Sequence, residues 1–190
     1  QMRKNQRVFF ERNRALLEQQ YAPNPANIWR ARARNTKPNL LYIDDRVPHR
    51  YYGSGFPRSN DILKALHDFG FNVTIVPYNF LNEEGWDTVY SDIPPEVEVL
   101  VGVGRHNLNE ILAQRKGLYD VVWVSRPHNM QHFSEVIKRQ HYEGATVVYD
   151  AEAVFALRDI TKQSLTGETV TETERARLVS QELQWVAAAD

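Results

Sequence analysis

Short apolar runs alternate with helical stretches from residue 40 onward, and this alternation allows few folds. The runs span residues 40–43, 72–77, 97–101, 121–125 and 146–149. Amphipathic or glycine-ended segments separate them, as in parallel strands that are joined by crossover helices. We therefore predict an α/β domain with an open, mostly parallel sheet and helices on both faces.

Two segments carry the spacing of a capping box, which predicts where a helix begins. Thr171 is followed by Glu174, and Asn107 is followed by Glu110. In a capping box the first side chain accepts a bond from a backbone N–H in the first helical turn, and the acidic side chain reaches back. We expect helices to begin at both places.

The composition excludes several classes of protein. With 190 residues, 42% hydrophobic and 25% charged, the chain is ordinary for one α/β domain with additional segments. It has no cysteine, so neither a disulfide framework nor a thiolate metal site is available. No apolar run approaches the roughly 18 residues of a membrane span, and the basic start lacks the apolar segment of a signal peptide. We expect a cytoplasmic protein.

Positive charge is concentrated at the start of the chain. Residues 1–38 contain nine Lys or Arg and two Glu, about +7, while the remainder is near −8. Such a segment binds nucleic acid or an anionic membrane surface, or is simply a solvated helix. It has no base-reading motif and no aromatic stacking platform. We expect no specific nucleic acid. The solvated helix is the favoured interpretation, and peripheral contact with the inner face of the membrane is the alternative.

The basic segment also sets the predicted domain boundary. A helix is expected over residues 6–20, and Pro23 and Pro25 break the chain after it. We predict a basic helical extension over residues 1–38 and the α/β domain over residues 39–190.

Two carboxylates, Asp44 and Asp45, directly follow the first apolar run. Ligands of open parallel sheets bind in the crevice beyond the carboxyl ends of the strands, so this pair is predicted to lie at the mouth of the site. The alternative is that one carboxylate caps the loop through backbone N–H groups while the other is solvated.

An acidic pair after the first strand also occurs in response-regulator receivers, where it holds a magnesium ion. A receiver further needs a phospho-accepting Asp where this chain has Ser125, and a Lys where it has Tyr149 and Asp150. A working receiver is therefore not expected. A non-catalytic receiver-like or scaffolding module, binding a partner through its acidic strand ends, is the alternative function.

A glycine-containing loop, Gly53-Ser54-Gly55, follows the acidic pair and precedes a helical pattern. Glycine lets backbone N–H groups approach a phosphate, and Arg58 stands nearby. The loop matches neither the dinucleotide fingerprint nor a Walker loop. We expect an anion or sugar site at the start of the following helix, the alternative being a flexible turn.

Polar side chains also follow the fourth and fifth predicted strands. Arg126 and His128 come after the fourth strand, and Asp150 and Glu152 after the fifth. A carboxylate or imidazole there can take a proton from a sugar hydroxyl, and an arginine can hold an anionic group. The simpler interpretation is that Asp150 caps a helix and that His128 only forms a hydrogen bond. No histidine has metal-ligand spacing, so we predict no metal site.

These segments together resemble the amino-terminal half of bacterial GT-B glycosyltransferases, most closely the enzymes of surface polysaccharide and cell-wall synthesis. The resemblance covers residues 39–190 and leaves out the basic segment. It is carried by residues 41–48, by residues 53–55 together with Arg58, and by residues 62–66, 70–74, 120–128 and 147–153.

The resemblance implies two Rossmann-like domains that face each other across a cleft, with the acceptor on the amino-terminal domain. The loop at residues 53–55 then lies near the donor phosphates and the acceptor, and the ends of the fourth and fifth strands border the reaction centre. The catalytic candidates are Asp150 and His128. The substrate-binding candidates are Asp44, Asp45, Gly53, Ser54, Gly55, Arg58, Arg126 and Glu152.

The resemblance further implies that a carboxyl-terminal domain, outside these residues, binds the nucleotide sugar. The nucleotide sugar is then a co-substrate rather than a tightly bound cofactor, and the acceptor is a glycan or a lipid-linked glycan. Sugar transfer needs donor and acceptor aligned in one closed cleft. We therefore expect residues 1–190 alone to be inactive.

Overall fold

The computed structural model describes residues 2–32, 37–79, 85–140, 144–167 and 169–189, without the side chains of residues 105 and 137–140. The chain forms two compact units, residues 1–36 and 37–190. Within the described residues, no helix combines the length and the apolar character that crossing a membrane requires.

The first unit is made of short helices that bury no residue. The single helix expected over residues 6–20 is instead two helices that meet at Asn13. The carbonyl of Phe9 accepts both from the Asn13 side chain, at 2.8 Å, and from the Asn13 backbone N–H, at 3.0 Å, and the φ and ψ angles of Asn13, −111° and 13°, interrupt the helix. The elements are α1 (Met2–Arg12), α2 (Arg14–Glu18), a 3₁₀ helix (Pro25–Asn27) and α3 (Ile28–Arg32).

The second unit contains five parallel strands in the order β3-β2-β1-β4-β5. This confirms the predicted α/β fold with an open parallel sheet. The strands are β1 (Asn39–Asp44), β2 (Asn72–Pro77), β3 (Glu98–Val99), β4 (Val121–Ser125) and β5 (Thr146–Asp150).

The third strand is much shorter than the predicted run over residues 97–101. It lies at the edge of the sheet, and only Glu98 and Val99 are in register with β2. Gly102 and Gly104 then have positive φ angles of 77° and 54°, which turn the chain into the next helix. The apolar run in the sequence is therefore longer than the strand that pairs with β2.

Helices cover both faces of the sheet, as predicted. On one face of the sheet, Leu40 and Tyr42 of β1 pack against the helix Phe56–Asp68. On the opposite face, Leu41 and Ile43 pack against helices that follow later in the chain. These four side chains are fully buried, and each large apolar side chain contributes about 1.5–3 kcal/mol. The helices are α4 (Phe56–Asp68), α5 (Trp86–Val89), α6 (Gly104–Gln114), α7 (Pro127–Gln140), α8 (Phe155–Leu165) and α9 (Glu172–Val186).

Only one of the two capping patterns begins a helix. The Thr171 hydroxyl accepts a bond from the N–H of Glu174 at 3.2 Å, which confirms the predicted start of α9. The prediction for Asn107 is wrong, because α6 already begins at Gly104. The preceding glycine turn starts that helix one turn earlier than the side-chain pattern indicates.

The start of α8 is capped from a distant part of the sequence. Glu182 of α9 is only 9% exposed, and its two carboxylate oxygens accept bonds from the N–H groups of Phe155 at 2.9 Å and Ala156 at 2.7 Å. Helices leave their first N–H groups without intrahelical partners, and a carboxylate also suits the positive end of the helix dipole. Burial, together with Glu182, raises the pKa of Tyr149 to about 12. Glu182 therefore joins α8 and α9.

Replacing Glu182 by alanine is expected to lower the free energy of unfolding by about 2–3 kcal/mol, because one buried and one partly buried backbone donor lose a charged acceptor. Urea unfolding followed by circular dichroism measures this. Glu174→Ala is the matched control on the same helix, and we expect little change from it, since its pair with Arg177 is exposed. Equal losses in the two variants would contradict the capping role.

Candidate functional site

The candidate site lies where the direction of strand addition reverses. From β1 the chain adds β2 and β3 on one side, and it then returns to place β4 on the other side of β1. Ligands of doubly wound sheets bind at such a switch point, beyond the carboxyl ends of the strands. Ile43 is in register with Val124, so the residues that follow β1 and β4 meet at this edge.

Arg126, directly after β4, is the centre of a nearly buried charge network. Its Nε lies 2.8 Å from Oδ1 of Asp44 and 3.6 Å from Oδ2 of Asp45. Its Nη1 lies 2.5 Å from Oε2 of Glu152, and its backbone N–H donates to the carbonyl of Asp150 at 2.8 Å. One guanidinium therefore connects the ends of β1, β4 and β5.

Burial disfavours the charged forms of both members of the central pair, Asp44 and Arg126. Burial raises the pKa of Asp44, while the Arg126 cation acts to lower it. Burial likewise disfavours the Arg126 cation, but Asp44, Glu152 and Asp45 outweigh this effect and raise its pKa. Arg126 is 7% exposed, and its charge is already matched by carboxylates. It therefore acts as a positioning residue for the edge of the sheet.

The central pair retains unused hydrogen-bonding capacity. Oδ2 of Asp44 and Nη2 of Arg126 are buried and have no hydrogen-bond partner among the described residues. Buried polar atoms are nearly always satisfied, so such atoms call for a water or a ligand atom.

Asp45 and His128 form an oriented pair. Oδ1 of Asp45 accepts from Nε2 of His128 at 2.6 Å and from the Asn129 side chain at 3.0 Å, and it also accepts from Asn79. A carboxylate only accepts, so Nε2 carries the imidazole proton and Nδ1 is the acceptor in the neutral ring. The His128 side chain is 45% exposed, which leaves it accessible to a substrate.

The donors around Asp45 also fix its charge state. Burial acts to raise the pKa of Asp45, but the hydrogen bonds from His128, Asn79 and Asn129 outweigh it and lower the pKa. Asp45 is therefore ionised at neutral pH and able to stabilise a protonated imidazole.

Asp150, at the end of β5, is more fully occupied than His128. Its Oδ2 accepts from Nη1 of Arg58 at 2.6 Å, and its Oδ1 accepts from the N–H of Glu152 at 3.1 Å. The Asp150 side chain is 8% exposed, whereas that of Arg58 is half exposed. The bond to Asp150 raises the pKa of Arg58. Arg58 is thus the more accessible member of this pair.

The glycine loop ends against a carboxylate. Gly53 has φ 67° and ψ −157°, a conformation open essentially to glycine alone. Gly55, directly before α4, leaves no space for a Cβ, because that atom would overlap the Glu152 carboxylate. Glu152 therefore lies at the amino end of α4, the position where an anion would bind.

Backbone strain is concentrated at this edge. Within the part of the chain that the structure describes, the non-glycine residues with positive φ are Ser54, Arg126 and Glu152, at 49°, 76° and 61°. Each such conformation costs on the order of 1–3 kcal/mol and persists only when its surroundings enforce it. For Arg126 and Glu152 the ion pairs of the network supply that enforcement.

Most of the predicted site residues share this one network. The contacts above join Asp44, Asp45, Gly55, Arg58, Arg126, His128, Asp150 and Glu152. Gly53 and Ser54 shape the loop without a comparable contact to the other residues that the structure describes. Sequence reasoning missed the roles of Asn79 and Asn129, which follow β2 and β4. The rule that polar residues after parallel strands converge would have found both.

The charges of the network favour a particular kind of ligand. Four carboxylates, from Asp44, Asp45, Asp150 and Glu152, outnumber the two arginines among the joined side chains. A free phosphate would meet this excess of negative charge, whereas hydroxyl groups can donate to the carboxylates. The geometry is suited to an uncharged, hydroxyl-rich molecule.

Among the described residues, no group of three or more His, Cys, Asp or Glu side chains could hold a metal ion.

Comparisons with known protein families, with curated proteins and with solved structures find no match to this chain. The functional argument accordingly rests on the geometry of the site.

Substituting Gly55 tests the contact with Glu152. We expect Gly55→Ala to destabilise the fold by about 1–3 kcal/mol, because the carboxylate must move away from Arg126. In the background of Glu152→Ala the same substitution should cost much less, and the double-mutant cycle in urea unfolding measures the difference.

Gly53→Ala is the matched control for this cycle. Its strain arises from the backbone, and no atom lies within 4 Å of the added Cβ. Its cost should therefore be the same with and without Glu152. If the costs of Gly55→Ala and Glu152→Ala simply added in the double mutant, as is expected for Gly53→Ala, the close contact between Gly55 and Glu152 would be refuted.

The lowered pKa of Asp45 predicts how stability depends on pH. A carboxylate with a depressed pKa stabilises the fold above its unfolded value, ordinarily about 3.8, and this contribution is lost as the pH falls through the folded value. Asp45→Asn is expected to cost about 2 kcal/mol at pH 7. The difference from the unsubstituted chain should shrink below about pH 3.8.

The comparison needs denaturant unfolding at several pH values, with Asp68→Asn as the exposed control. For Asp44 the pH dependence has the opposite sign. Its pKa is raised in the folded chain, so the folded chain binds this proton more tightly than the unfolded chain. A deficit of Asp45→Asn that stayed constant from neutral to strongly acidic pH would rule out this role for Asp45.

Proposed function

We propose that this chain is the acceptor-side domain of a glycosyltransferase, which transfers a sugar from a nucleotide-sugar donor to a glycan or a lipid-linked glycan. The observation that carries the proposal is the 2.6 Å contact between His128 and Asp45 at the topological switch point. An exposed imidazole oriented by an ionised carboxylate is the arrangement that a general base requires.

In the proposed reaction, Nδ1 of His128 accepts the proton of the acceptor hydroxyl. Asp45 holds the ring in the required tautomer and stabilises the imidazolium that forms. The freed oxygen then attacks the anomeric carbon of the donor, and the nucleotide leaves with the bonding electrons. Arg58, held in place by Asp150, donates to neighbouring hydroxyl groups of the acceptor.

The acidic balance of the site supports the acceptor rather than the donor as its ligand. Donor phosphates would be repelled by the excess of carboxylates, while a neutral glycan would not. A second domain is proposed to bind the nucleotide sugar, which makes it a co-substrate. We propose a cytoplasmic reaction, with the basic segment in peripheral contact with the membrane.

The receiver-like alternative receives less support. Receivers place their strands in the order 2-1-3-4-5, whereas this sheet has the order β3-β2-β1-β4-β5. The Ser125 hydroxyl, at the position of the phospho-accepting residue, is buried and donates to Tyr42 at 3.2 Å.

The activity test uses the longer protein encoded by the parent reading frame, with a panel of nucleotide sugars and detection of released nucleotide. We expect His128→Ala to lower kcat by about 10²-fold or more, as for loss of a general base. His67→Ala, in the last turn of α4 at the opposite edge of the sheet, is the control and should retain full activity. Residues 1–190 alone should show no turnover.

Two results would refute the proposal. One is a longer protein that consumes none of the nucleotide sugars. The other is a His128→Ala variant as active as the His67→Ala control.

A further inference from the structure

A row of aromatic rings leads away from the charged network, and one of these rings, that of Tyr51, is exposed. The rings are those of His49, Tyr51 and Tyr52, in and beside a short 3₁₀ helix (Arg50–Tyr52), and of Phe56 at the start of α4. Tyr51 is 59% exposed although it is a large ring. Neither the resemblance nor the proposed reaction assigns these residues a role.

The rings are in contact from one end of the row to the other. His49 and Tyr51 stack with centroids 5.0 Å apart, Tyr51 and Tyr52 are 4.6 Å apart, and Tyr52 meets Phe56 edge-on at 5.7 Å. The guanidinium carbon of Arg126 lies 4.5 Å from the centroid of Phe56. The row is therefore continuous with the candidate site.

The end of the row at His49, on which the Tyr51 ring stacks, is fixed in place. His49 is fully buried, and its Nδ1 lies 2.5 Å from Oδ1 of Asp92. The other oxygen of Asp92 accepts from the N–H of Arg50 at 2.9 Å. Both bonds hold the 3₁₀ helix, so the Tyr51 ring is supported from below on the His49 ring. A preorganised ring loses little conformational entropy when a ligand stacks on it.

We propose that Tyr51 is a stacking platform for a sugar ring of the acceptor glycan, an inference that rests on the proposed function. A pyranose has hydroxyl groups around its edge and a face of C–H groups. The electron-rich face of an aromatic ring attracts such slightly positive C–H groups. Binding sites typically combine aromatic walls with a few polar groups that set orientation.

The platform adds specificity that the polar network lacks. The carboxylates and Arg58 accept or donate to any suitably placed hydroxyl group, whereas stacking on Tyr51 requires an unobstructed C–H face. Sugars with an axial hydroxyl on that face are expected to bind less well. Tyr51 is thus a specificity-determining residue for the acceptor.

Saturation-transfer difference NMR on the full 190-residue chain tests this directly, since it reports which ligand protons approach the protein. The probes are methyl glycosides of several common hexoses and deoxyhexoses. We expect at least one to show its strongest signals at ring C–H protons, and Tyr51→Ala to weaken its binding by about tenfold. Tyr51→Phe, which keeps the ring, should bind within a factor of about three of the unsubstituted chain.

Phe69→Ala is the matched control, because Phe69 is an exposed ring at the opposite end of α4 and is expected to leave binding unchanged. Absence of binding by every glycoside, or equal binding by Tyr51→Ala, would overturn the platform. The activity assay separates this result from the proposed function. If a longer protein that carries Tyr51→Ala transfers sugar normally, the transferase proposal stands. If sugar binding depends on Tyr51 but no sugar is transferred, only the transferase proposal is overturned.

Discussion

The burial of the Arg126 guanidinium among Asp44, Asp45 and Glu152 is the interaction on which the carboxyl edge of the sheet depends. Taking these charges out of water is costly, and removing one member alone would leave an uncompensated buried charge at a cost of about 3–5 kcal/mol. The network therefore forms as a unit. It also holds Arg126 and Glu152 at φ angles that side chains seldom adopt. As a result, the carboxyl ends of the neighbouring strands β1, β4 and β5 are held together.

This arrangement has a consequence for recognition. Because Arg126 is matched by carboxylates and Glu152 lies at the start of α4, neither the arginine nor the helix end is available to a free anion. The groups that face outward are the His128 imidazole and the Arg58 guanidinium, each held by a carboxylate. Buried charges fix the positions of exposed ones, which is how a site becomes preorganised before substrate arrives.

Much of the sheet was predictable, because its signals are local. The runs over residues 72–77 and 121–125 are bounded by turn residues and match β2 and β4, and the polar residues after β1, β4 and β5 converge because parallel strands end at one edge. The capping of α8 by Glu182 and the burial of Arg126 were not predictable. Each depends on a partner distant in the chain, and no periodicity encodes which distant pairs meet.

The aromatic row and the acidic edge make complementary demands on a ligand. Under the proposed function, the excess of carboxylates favours hydroxyl donors over phosphates, while the exposed Tyr51 ring favours an apolar face. A peptide could meet the second demand but offers few hydroxyls, and a nucleotide could stack but carries phosphates. A sugar ring has both a hydroxyl rim and a C–H face. Under the proposed function, the same two surfaces therefore select the acceptor and present its hydroxyl to His128.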